Sequence, residues 1–313
     1  MRSEIFILVG ILLLAILIVA GGQKSLERPA DKKVTITVTT SSVWDQSKPL
    51  KEIDLSYKPF LRRGEITVYF DPEQRRLAHE VANALQAGWQ LVARRLGIAL
   101  GAFGVALIPL SEAERAEIGG IHIVVKQEIQ MPLEKFLQFQ FPPSPKPPFP
   151  VAVPLGLHSL KADLETRGAI YYSMPHEAFH HAVARALERG LDKGWGPDPQ
   201  RRGLEDGLAE YIGHIVTQKF DPEVHKQKLE GRQRQVQEVL QRREHSTYDL
   251  TQEFRGHIEF PIGRESSQES PKSISAEELA GYGVALAFWL QIAQRHGEGV
   301  IKEFWQRLSK QGF

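Results

Sequence analysis

His176 and His180 stand four residues apart, with Glu177 between them, in the stretch His176-Glu177-Ala178-Phe179-His180. A helix sets residues at that interval on one face, so a shared role for the two imidazoles requires a helix here. On that face they can hold one metal ion between them, with Glu177 beside them as a candidate base. Pro175 falls at or just before the helix start, where its missing N–H costs little, and the helix is expected to run to about Glu188, before Gly190. Residues 168–173 (GAIYYS) read as a strand leading directly into it. Arg185, Glu188 and Arg189 are too charged for a helix embedded in a membrane.

A hydrolytic zinc site needs three protein ligands and one open position for water. The chain has no cysteine, which excludes disulfides and thiolate ligands and leaves His and carboxylates to hold any metal. Residues 203–211 (GLEDGLAEY) are the best source of the third ligand, since they are acidic and open a helix. Glu205 of this stretch lies 25 residues past His180. Glu177 would take the proton of the zinc-bound water and pass it to the leaving group. Tyr282 and His214 are candidates to stabilise the oxyanion, each with a structural role as the alternative. His181 points about 100° away around the helix and reads as packing or surface.

The 313 residues suffice for one large domain or two modest ones, and 42% apolar with 25% charged residues is ordinary for a globular protein. A net charge of +1 offers no basic excess for neutralising phosphates, which argues against nucleic acid as a partner. Residues 5–20 are apolar without a break, so residues 1–22 read as a transmembrane anchor or a signal peptide. A short N-terminal tail that stays inside would put the bulk of the protein outside the cytoplasm, tethered to the membrane, or secreted if the segment is cleaved. Residues 97–110 are apolar but too short to span, and read as buried core.

Residues 23–63 read as linker, with a strand at 33–40 (KVTITVTT). The domain is expected over 64–313. Residues 65–70 form a second strand candidate, and Asp71-Pro72 opens a helix whose buried face is Leu77, Val81, Leu85, Trp89, Val92 and Leu96. Short strands follow at 105–108 and 121–126, with a short capped helix at 111–118 between them. Residues 142–154 hold seven prolines, which suits a rigid extended connection and neither a helix nor a central strand. Helices are expected at 204–220, at 223–244 with a solvated mixed-charge face, from 276 to near 297, and at the end of the chain. Residues 263–272 read as a loop. Strands gather before the motif and helices after it, which predicts an α+β class.

His176-Glu177-x-x-His180 followed by Asp206-Gly207-Leu208-Ala209-x-Tyr211 resembles the gluzincins, more narrowly the peptidase MA-like domains, over roughly residues 66–308. The resemblance implies a zincin-like metalloprotease fold: a small mixed N-terminal sheet with helices, the active-site helix, then a mainly helical C-terminal part. It implies Zn2+ as cofactor, a peptide or protein as substrate and endopeptidase activity. The large aminopeptidases' G-x-M-E-N segment is absent. In that family the Glu before the Gly is the third ligand; Asp206 stands there in this chain, with Glu205 one residue earlier. Glu210 matches the acidic position that orients a ligating His through its other ring nitrogen. Two other readings stay open: a non-catalytic zincin-like scaffold or binding module tethered to the membrane, and a metal-dependent hydrolase of a non-peptide bond.

Overall fold

A computed structural model describes residues 33–41, 50–108, 122–132, 152–156, 164–186, 199–243, 247–249 and 276–311. The expected anchor or signal at 1–22, the short helix at 111–118, most of the proline-rich connection and the 263–272 loop lie outside the described residues. Among the described residues, no helix is long and apolar enough to cross a membrane. The class is α+β, predominantly helical after residue 164.

Among the described residues, seven strands form two sheets. β1 (Lys33–Ser41), β6 (His122–Pro132) and β2 (Leu50–Asp54) make one, with β6 central, antiparallel to β1 and parallel to β2. β3 (Phe60–Arg63), β4 (Ile66–Tyr69), β5 (Phe103–Ile108) and β7 (Ala152–Gly156) make the other, in that order. β3 runs antiparallel to β4, while β4, β5 and β7 are parallel. Among the described residues Pro154 therefore lies on an edge strand, the place in a sheet where proline is tolerated.

Residues 41–63, expected as linker, carry β2 and β3, and β3 pairs with the strand that opens the expected domain. Their sequences, LKEID and FLRR, lack a run of alternating apolar residues. Both lie at sheet edges, where backbone pairing on one side suffices.

Alternation along β4 and β5 builds two cores. Ile66, Val68, Phe103, Val105 and Leu107 point into the main core with the helices. Tyr69, Ala106 and Ile108 point the other way and pack with Ile53 and Leu55. The four-stranded sheet is thus covered on both faces, which accounts for β4 and β5 being buried along their whole length.

A 3-10 turn at Pro72–Gln74 leads into α1 (Arg75–Leu96). Asp71 is held there by an ion pair with Lys58, and its N–H donates to Gln74 Oε1 at 3.2 Å. Val81, Leu85, Trp89, Val92 and Leu96 are buried as expected; Leu77 is half-buried against the core. Gly97 ends the helix at φ 68°, a conformation that favours glycine.

α2 (Leu164–Gly168) passes through a π-helical segment, Ala169–Ser173, into α3 (Met174–Ala186), which carries the motif. The expected strand at 168–173 is therefore helical. A short run of β-branched and aromatic residues has no period that separates a strand from a buried helical turn. Here packing decides. Ile170 and Tyr172 are buried against the helix that follows α3, where a Cβ on Gly213 would lie 2.9 Å from Tyr172 O.

That helix is α4 (Pro199–Phe220), followed by α5 (Pro222–Arg242), α6 (Ala276–His296) and α7 (Glu298–Gln311). α4 lies at the centre of the helical layer, against α3, α5, α6 and the π-helical segment. Gly207 permits the α4–α6 contact: a Cβ there would come within 2.8 Å of Trp289 Cδ1 and 2.9 Å of Ala285 O. Overpacking of that kind costs about 1–3 kcal/mol. Tyr211 ties α4 to α7 through Glu298 Oε1 at 2.7 Å, and Arg95 joins from α1 at 2.9 Å to Oε2. Asp221 caps α5 by accepting from Val224 N at 3.2 Å and pairs with Arg167 of α2 at 2.7 Å.

Candidate metal centre

α3 and α4 face each other so that the two histidines meet three acidic side chains. His176 and His180, one turn apart on α3, bring their Nε2 atoms within 3.0 Å of each other. Asp206 Oδ1, on α4, lies 3.2 Å from His180 Nε2. Ligand-capable atoms of His176, His180 and Asp206 all fall within 4.8 Å of one another. Ligands of a tetrahedral ion with bonds of about 2.0–2.1 Å lie about 3.3 Å apart. Two of the three separations match that within a few tenths of an ångström, and two imidazoles with a carboxylate are a donor set that suits zinc.

Glu205 is placed differently. Its Oε1 lies 3.0 Å from Nδ1 of His180, the ring nitrogen turned away from the cluster. Glu205 and Asp206 thus grip opposite nitrogens of one imidazole, and the convergent set contains Asp206 and not Glu205. Asp206 brings Oδ1 to 3.2 Å from His180 Nε2 although its side chain is one methylene shorter than a Glu.

Glu210, one turn along α4, stands on His176 in the same way. Its Oε1 lies 3.2 Å from His176 Nδ1. Tyr172 OH donates to Glu210 Oε2 at 2.5 Å. Arg232 on α5 donates to both carboxylate oxygens, from Nε at 2.8 Å and Nη2 at 2.9 Å. Each histidine therefore has one nitrogen facing the cluster and the other on a carboxylate, the arrangement that fixes the tautomer of a ligating imidazole.

Charge is concentrated here. Glu205, Asp206 and Glu210 are almost wholly buried. Burial opposes a charge on His180, but hydrogen bonds to Asp206 and Glu205 outweigh it and push the imidazole up to about 10. The negative field that binds a proton so firmly is also the field that a divalent cation would meet. Burial likewise opposes ionisation of Glu210, but Arg232 and His176 outweigh it and hold the carboxyl down to about 2.

Glu177 is exposed to solvent beside buried His176. The Tyr282 ring, on α6, lies 6.3 Å from the His176 ring, and the Arg232 guanidinium sits 5.1 Å from the Tyr282 ring centre. His181 turns into the core against Phe103, 5.5 Å away, where burial pushes it down to about 3. Arg185 anchors α3 to the turn before β5 through the carbonyls of Leu100 and Ala102.

His214 does not join the cluster. Its Nδ1 pairs with His225 Nε2 at 3.1 Å, and its ring stacks on Tyr211. Burial, with His225 and Arg95 nearby, pushes His214 down to about 4, and burial lowers His225 as well. The folded state then binds fewer protons than the unfolded chain, whose histidines titrate near about 6.5. The stability this pair contributes is full above that value and is lost as pH falls through about 4. Thermal melting should show a midpoint that drops between pH 6.5 and 4, and drops less steeply in His214→Gln. Parallel slopes would contradict the assignment.

Sequence reasoning missed Arg232, which was included in the solvated face of α5. Its side chain is only 20% exposed, and its partner is Glu210. No family model matches this chain, and no curated protein matches its sequence.

Proposed function

We propose that the chain is a zinc-dependent endopeptidase of the gluzincin type on a zincin-like fold. The observation that supports this best is the convergence of His176, His180 and Asp206 while Glu210 and Glu205 occupy the second nitrogen of each histidine. His176, His180 and Asp206 would hold the metal. Zinc bound there supplies Lewis acidity towards water and the scissile carbonyl. Glu177 takes the proton of the attacking water and returns it to the leaving amine, so that one carboxylate serves both halves of the reaction. Tyr282, whose ring borders His176, is the donor proposed for the oxyanion. Glu205 supports His180 instead of binding the metal. With residues 1–22 as a membrane anchor or a signal peptide, the domain works outside the cytoplasm, on peptide or protein substrates.

One observation favours the tethered zincin-like scaffold instead. A protonated His180 between Asp206 and Glu205 would offset one of their two negative charges without a metal. Chelation separates the readings. The purified full chain should carry one zinc, cleave an unfolded protein substrate, lose cleavage on removal of the metal and recover it on adding zinc. A zinc-loaded chain that cleaves nothing favours the scaffold, and a chain that takes up no zinc removes the metal centre altogether.

A further inference from the structure

α5 is polar along most of its length, and its neighbouring basic residues Arg234 and Arg242 face solvent. Arg232 turns inward. Its Nε and Nη2 form a fork on the two oxygens of Glu210, at 2.8 and 2.9 Å, and Nη1 donates to Gln235 Oε1 at 3.1 Å. Tyr172 OH and His176 Nδ1 complete the surroundings of the same carboxylate. A carboxylate offers about four lone-pair sites, and four donor atoms from three residues occupy them here. Glu210 accepts, so His176 donates from Nδ1, and Nε2 is the nitrogen that faces the cluster. The other face of the guanidinium lies over the Tyr282 ring. The backbone holds this arrangement in register: a Cβ on Gly283 would come within 3.0 Å of Arg232 O and 2.7 Å of Val236 Cγ2, so α6 rides directly on α5 beside Tyr282.

We propose that Arg232 is the positioning residue of the centre, a single guanidinium that orients the His176 imidazole through Glu210 and seats Tyr282 across from it. The proposal rests on the metal-centre reading above. A planar fork is what the geometry uses, so lysine, a point charge without the fork, is not an equivalent replacement.

Zinc affinity of the full chain, measured by competition with a chelator, tests this without reference to cleavage. R232K should weaken zinc binding by about 10- to 100-fold, the range for losing an outer partner of a metal-ligating histidine. R234K, on the exposed face, should leave affinity unchanged. If Arg232 acts through Glu210, the double variant R232M/E210Q should bind zinc no more weakly than E210Q alone. Should R232M not fold, as judged by its melting transition, R232K carries the test. Parent-like zinc affinity in R232K, or losses in R232M and E210Q that simply add, overturns the role of Arg232 and leaves the metal centre standing. A parent chain that binds no zinc overturns both.

Discussion

Glu177→Gln is expected to slow peptide hydrolysis by about a hundred- to ten-thousandfold while zinc stays at one ion per chain. Glutamine keeps the size and the hydrogen-bonding reach of the side chain but cannot take a proton from water. Glu177 is exposed and stands outside the convergent ligand set, so its loss removes neither packing nor a metal contact. A structural role for this residue would leave the rate alone, and a role as ligand would cost zinc. Metal analysis beside the cleavage assay separates the three. Retained zinc with an unchanged rate would end the general-base assignment.

Asp206→Asn and Glu205→Gln should behave differently although they are neighbours in sequence. Asp206 meets His180 at Nε2, on the side shared with His176, so its replacement should strip the site of zinc under chelator competition that the parent survives. Glu205 meets the same ring at Nδ1. Its replacement should leave the metal bound, with affinity lower by about 10- to 100-fold. The reverse ranking would exchange the two roles and make Glu205 the ligand.

The contrast between Glu205 and Asp206 marks how far the amino-acid order carries. Consecutive helical residues differ by about 100° in direction, and nothing local sets the rotation of α4 against α3. Gly207 and Gly213 let α4 close on α6 and on the π-helical segment, through contacts with Trp289, Ala285 and Tyr172, residues far away in the chain. Glu210 was legible because, one turn past Asp206, it matches the acidic position of the motif that the chain resembles. Arg232 was not, because a polar helix with alternating charge gives no period by which one inward guanidinium stands out.

Elements followed the same logic. The buried face of α1 is written in apolar periodicity and β4 and β5 in short apolar runs; they form where expected, except that β5 begins at Phe103 and not at 105. β2 and β3 owe their existence to pairing partners, and the helical course of residues 169–173 owes its existence to burial against α4. In both places the deciding contact is non-local.

Diffraction from crystals of the zinc-loaded full chain, recorded on either side of the zinc absorption edge, bears most directly on the centre. One anomalous peak is expected on each chain, at about 2.0–2.2 Å from His176 Nε2, His180 Nε2 and an oxygen of Asp206, with Glu177 free of the ion. A peak bonded to Glu205 in place of Asp206, or no peak between α3 and α4, would contradict it.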